Sequence, residues 1–113
     1  DKIRVILQEA QVYEPDHFGY MYLSPYQIAI ALDEETRQAL GKPIGGAGSG
    51  ENSIAGYIAN QLARRINSGE ITDIEGAWLA KQNTKHISFQ YDGQVIEASG
   101  GIDAAISMFR IRS

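Results

Sequence analysis

Ser24-Pro25-Tyr26-Gln27 opens the one segment of this chain whose conformation local chemistry alone comes close to dictating. The Ser24 hydroxyl can accept a hydrogen bond from the Gln27 N–H, and the Gln27 side chain can reach back to the Ser24 N–H. Pro25 takes the first helical position, where its missing donor costs nothing. Ile28, Ala29, Leu32, Ala39 and Leu40 then supply apolar positions for a helix, with Asp33 and Arg37 spaced for an ion pair one turn apart. Gly41 ends the helix and Pro43 prevents its continuation.

A second helical pattern follows a glycine-rich connector. Residues 41–50 hold five of the twelve glycines. Beyond them Ile54, Ile58, Leu62 and Ile66 recur every four residues beside Ala55, Ala59 and Ala63, a broad apolar stripe with small neighbours. Asn52 or Ser53 is positioned to cap it. Arg64 and Arg65 lie in the last turn, where the helix dipole favours them, and Asn67-Ser68-Gly69 closes it.

The remaining segments read as extended. Ile3, Val5 and Leu7 alternate at period two, predicting a strand over 2–8 that could run on to Val12 and Tyr13. Ile71 to Leu79 is predicted extended, with Gly76 marking a bulge or a close backbone approach. Asp92-Gly93 between two alternating runs predicts a hairpin, with Tyr91 opposite Gln94, Phe89 opposite Ile96 and Ile87 opposite Ala98 on its apolar face. Met108 to Arg112 reads as a final edge strand. The expected architecture is one α+β domain over residues 1–113, with two helices packed on one face of a mainly antiparallel sheet of about four strands.

Composition excludes several function classes. There is no cysteine, so disulfide scaffolds, thiolate metal sites and cysteine nucleophiles are ruled out. The net charge of −4 argues against a general nucleic-acid or anionic-membrane binder. All of the acidic excess lies in residues 1–56, where eight acidic side chains face four basic ones, and Asp33-Glu34-Glu35 form a run expected on a solvated helix face. No stretch reaches the roughly 18 apolar residues of a membrane span. No signal or transit peptide is recognisable, and a cytoplasmic location is expected. No metal or other cofactor is expected.

Three constellations could carry function. Tyr13, Phe18, Tyr20, Tyr22 and Tyr26 crowd into fourteen positions, and such amphipathic rings give large contact area for little lost rotamer entropy. Beside them, Gly46, Gly48, Ser49 and Asn52 could offer backbone amides to a ligand. The loop fits neither nucleotide fingerprint: Gly50 is followed by Glu51-Asn52 where a Walker loop needs Lys-Ser/Thr, and the glycine spacing is wrong for a dinucleotide turn. His17, next to Asp16 and near Glu14, is a conceivable general base. Arg64 and Arg65, with Asn60, Gln61 and Ser68, are a conceivable local nucleic-acid patch, though no aromatic stacking partners interleave with them. Asp73 and Glu75 share a strand face expected to be solvated.

Ser24-Pro25-Tyr26-Gln27-Ile28-Ala29-Ile30, then Gly-Lys-Pro-Ile-Gly-Gly, then Gln61-Leu-Ala-Arg-Arg-Ile66 with Ser68-Gly-Glu-Ile71, resemble segments of small uncharacterised bacterial proteins carried on mobile gene cassettes of integrons. The resemblance spans about the middle half of the chain. It implies a small bacterial accessory protein and no particular activity. The leading expectation is a non-enzymatic binding or interaction protein. Its ligand or partner site would combine Tyr13, His17, Phe18, Tyr20 and Tyr22 with Gly46, Gly48, Ser49 and Asn52, and the protein is expected to be a homodimer. A small enzyme acting on a polar or anionic metabolite through His17, and a nucleic-acid accessory using Arg64 and Arg65, stay open as alternatives.

Overall fold

The computed structural model describes residues 2–10, 19–45, 52–80, 87–97 and 106–112. The chain is α+β, with four helices and four strands among those residues rather than two helices on one sheet.

The first departure from expectation is at the N-terminal end. Residues Lys2–Glu9 form helix α1, not a strand. The alternation of Ile3, Val5 and Leu7 ignored Ile6 and Ala10. Positions 3, 6, 7 and 10 fit one helical face, and that face is the one used. Leu7 is fully buried, Ala10 is buried, and Ile3 and Ile6 pack partly against the core, while Val5 is 52% exposed. Packing on α2 and β4 overrides the β-preference of the branched side chains. Two ion pairs fasten the helix. Lys2 Nζ donates to Asp33 Oδ2 at 2.7 Å, and Arg4 grips Asp73 through Nε and Nη2 at 2.6 and 3.0 Å.

The predicted helix from Pro25 is two helices, α2 (Pro25–Ala31) and α3 (Glu34–Leu40). The capping box at Ser24 forms in full: the Gln27 N–H donates to Ser24 Oγ at 3.2 Å and the Ser24 N–H to Gln27 Oε1 at 2.8 Å. The break falls at Leu32 and Asp33, both extended. Asp33 acts as the N-cap of α3, accepting from the Thr36 N–H at 2.7 Å, with Glu34 and Glu35 in the first turn at the positive end of the dipole. The acidic run is therefore a second helix start. The expected Asp33–Arg37 pair is replaced by Lys2–Asp33. Arg37 turns back to donate to the carbonyls of Ile30 (2.9 Å) and Leu32, closing the end of α2. Gly41, at φ 65°, terminates α3 where a side chain would be strained.

Helix α4 (Ile54–Asn67) forms as expected, with Ser53 as its cap: Ser53 Oγ accepts from the Gly56 N–H at 3.0 Å. Its first two amides are taken by the carbonyls of Pro43 (2.8 Å) and Ile44 (3.0 Å), so the incoming chain occupies the helix start where an anion would bind. Ile54, Ala55, Ile58 and Leu62 are buried.

The strands make two separate antiparallel ribbons instead of one meander. β1 (Ile74–Leu79) pairs with β4 (Ile106–Ile111), Ile74 opposite Ile111 and Leu79 opposite Ile106. β2 (Ser88–Tyr91) pairs with β3 (Gln94–Glu97) in the predicted register, Phe89 opposite Ile96 and Tyr91 opposite Gln94. Asp92 and Gly93 both have positive φ (49° and 76°), the primed turn whose twist matches the strands. Ala98 lies outside the described residues. β4 is an edge strand of its two-stranded ribbon, as expected, and one isolated bridge adds to it: Leu23 and Phe109 exchange two backbone hydrogen bonds of 2.9 Å. Gly76 is a close approach: a Cβ there would sit 3.3 Å from the Phe109 ring. The core joins Leu7, Ile28, Ala29, Leu32, Ile54, Ile58, Leu62, Ile71, Ile74 and Phe109. Among the described residues, no helix is long and apolar enough to cross a membrane.

Candidate functional site

The start of α2, the β2–β3 hairpin and the entry to the glycine segment converge on one surface. Pro25 fixes the first turn of α2, and this projects Tyr26 toward the hairpin. The Tyr26 ring stacks on Phe89 with centroids 5.3 Å apart and planes at 13°. Its edge lies directly over Gly45, where a Cβ would come within 2.6 Å of the ring. Glycine at 45 is what lets the ring and the backbone occupy adjacent space.

Phe89 and Tyr91 share one face of β2, and Tyr91 continues this surface toward α3. The Tyr91 hydroxyl accepts from Arg37 Nη2 at 2.6 Å, and the guanidinium carbon lies 4.9 Å from the Tyr91 ring centre. An open concavity of about 450 Å³ sits here, lined by α3, residues 41–44, Ile54 and Tyr91. Its cations are engaged by the chain itself. Arg37 is held by the α2 carbonyls and Tyr91, and Lys42 Nζ lies 5.0 Å from the Tyr57 ring centre. The surface left to a ligand is therefore ring, amide and backbone together with the Glu34 carboxylate, which accepts from Gln38 Nε2 at 3.3 Å.

The sequence-predicted residues distribute unevenly around this surface. Asn52 stands exposed just before the Ser53 cap. Tyr20 and Tyr22 belong to the β4 side of the fold. The Arg110 guanidinium lies 4.5 Å from the Tyr22 ring centre, bonds Glu75 Oε1 at 2.6 Å and donates to the Tyr20 carbonyl at 3.4 Å. Tyr13, His17, Phe18, Gly46, Gly48 and Ser49 lie outside the described residues, as does His86. Phe89 and Tyr91 are absent from the predicted site, and Tyr26 belongs to its aromatic segment without being one of its named residues. A pointer to Tyr26 was its place one residue after Pro25, where a helix start fixes its direction; Phe89 and Tyr91 alternate on one strand face.

The charged constellations resolve into structural roles. Asp73 holds Arg4, and Glu75 holds Arg110 and, at 3.8 Å, Arg112; Asp73 is exposed as expected and Glu75 only partly so, and both carry ion pairs. Arg65 lies 3.4 Å from Glu70 at the end of α4. Among the described residues, no group of three or more histidines and carboxylates is placed to hold a metal.

Hydrogen bonds from Lys2, then from Thr36, hold the Asp33 carboxyl well below the ordinary carboxylate range, and Arg4 lowers Asp73 in the same direction. Carboxylates whose folded values are depressed contribute stability above the unfolded value of about 4 and lose it as the pH falls through the folded value. The wild-type Tm is thus expected to fall more steeply between about pH 5 and about pH 2 than that of an Asp33→Asn/Asp73→Asn variant. Both carboxylates are exposed, so the difference is expected to shrink in high salt. Parallel acid-limb slopes in thermal melts would contradict these assignments.

Comparison of the chain with protein-family models, with curated proteins and with solved structures finds no match to any of them.

Proposed function

We propose that this protein is a non-enzymatic binding protein, a small bacterial accessory protein that captures a small polar ligand, a peptide or a protein partner. The capture surface combines the aromatic segment 13–26 with the glycine loop 45–53. One observation carries the reading: the last ring of the aromatic segment, Tyr26, lies on the first glycine of the loop, Gly45, beside an open concavity. Rings that meet a side-chain-free backbone combine apolar contact area with accessible amides, which suits recognition. The nearby cations are occupied within the chain, which favours capture over charge-driven chemistry. Self-association through exposed apolar side chains, Met21 and Tyr57 among them, is part of the same proposal.

The test uses one exposed or half-buried residue from each half of the site. A Tyr26→Ala/Asn52→Ala variant is expected to keep the wild-type circular dichroism, with a melting temperature lowered only by the lost Phe89 stack. It is expected to lose self-association in sedimentation velocity, and to lose the amide shifts that a mixture of short neutral peptides induces in the wild-type protein. A variant that associates and binds like the wild type would overturn the proposal, as would a wild-type protein that does neither.

A further inference from the structure

A second concavity, apart from the Tyr26–Gly45 surface, lies between α4 and the β1–β4 ribbon and encloses about 340 Å³. Its origin can be read from the side chains. On α4 the large residues Ile54, Ile58 and Leu62 enter the core, while the positions turned to the ribbon include Ala59 and Ala63, which are too small to fill the gap. On β1 the residues alternating toward α4 are Ile74, Gly76 and Trp78. Ile74 is 1% exposed and seals one end. Gly76 contributes no side chain, and the Phe109 ring of β4 lies against its backbone as a floor. Trp78, on the same strand face as buried Ile74, is nevertheless 71% exposed at the mouth.

The lining specifies the occupant. Among the described residues it contains no charged side chain, so a charged ligand would lose its hydration with nothing to replace it. Asn60, Asn67 and Ser107 are its polar side chains, and each can donate or accept. The volume lies at the lower end of the range for small-molecule sites. It suits one bicyclic ring system and is too small for a partner helix about 10 Å across.

We propose that this cavity binds a neutral, flat, mainly apolar molecule. Its ring inserts between the Trp78 indole and the Ala59–Ala63 wall over Phe109, and one or two polar atoms meet Asn60, Asn67 or Ser107. Trp78 is the only tryptophan, so its indole N–H gives a single signal that reports directly on the cavity mouth.

The experiment titrates ¹⁵N-labelled full-length protein with indole, a neutral bicyclic probe. Saturable shifts are expected at the Trp78 indole N–H and at the amides of Ala59, Ala63 and Ser107. Indole-3-acetate, the same ring carrying a carboxylate, is expected to bind roughly tenfold more weakly or worse. Ala63→Leu fills the cavity and should remove the response. If that variant does not fold, Trp78→Ala, which alters an exposed side chain, should weaken indole binding as read at Ala59 and Ala63. Absence of saturable shifts, equal binding of the two probes, or undiminished binding by a folded variant would overturn the proposal. So would Trp78 shifts that track protein concentration without probe, because a second copy would then cover the cavity.

Discussion

Leu7→Ala is expected to destabilise the protein by about 3 kcal/mol, whereas Val5→Ala, two positions away, should change stability by less than about 0.5 kcal/mol. Leu7 is completely buried in α1 and Val5 points half into solvent. Removing the Leu7 side chain deletes its transfer energy and leaves a cavity that α2 and β4 cannot fully close. A strand over 2–8 would place both residues on one face and make their truncations comparably costly. Urea denaturation of the two variants separates the alternatives, and near-equal losses would refute the helix. Ile6→Ala should fall between them, since Ile6 packs at the margin of the core.

The second large effect belongs to Arg37. Its guanidinium donates to the Ile30 and Leu32 carbonyls at the end of α2 and to the Tyr91 hydroxyl on the hairpin, joining three elements through one planar group. Arg37→Ala is expected to cost about 2–3 kcal/mol, because half-buried carbonyls and the hydroxyl lose charge-assisted partners together. Arg37→Lys should recover less than half of that, since an ammonium cannot address diverging acceptors with a fixed fork. Tyr91→Phe removes one acceptor and should cost about 1 kcal/mol. A double-mutant cycle on Arg37→Ala and Tyr91→Phe should show coupling; strictly additive losses would mean that the 2.6 Å contact contributes nothing.

What local chemistry decides is legible in the sequence. The Ser24 capping box, the α4 stripe and the Asp92-Gly93 turn each depend on residues within a few positions of one another, and each formed as read. Interactions across long separations were not legible. Whether residues 2–9 alternate or wind depends on what buries them, and those neighbours lie on α2 and β4. The sequence shows Asp33 only as one charge of a solvated run with Arg37 one turn on, because its role as a cap depends on Leu32 staying in the core while the chain turns. The two ribbons were read as one meander because β1 bypasses the intervening hairpin to pair with a strand about thirty residues further on.

The candidate site divides along the same line. Aromatic density near the start of the chain was plain in the sequence, but which ring meets the glycine segment was not. Tyr26 became the meeting point through Phe89, a residue of a distant hairpin. Trp78 carried an unused signal: a lone tryptophan alternating with Ile74 and Gly76 on one strand face.

The packing of α1 on β4 and the Leu23–Phe109 bridge also bear on biosynthesis. Helix α1 finds part of its resting place only when residues 106–111 have been translated. Until then Leu7 and its neighbours have only α2 to pack against and stay partly open to solvent, to chaperones or to other nascent chains. A ribosome stalled before β4 would present the aliphatic face of α1 only partly covered, making synthesis of residues 106–111 the step that commits α1 to its native packing.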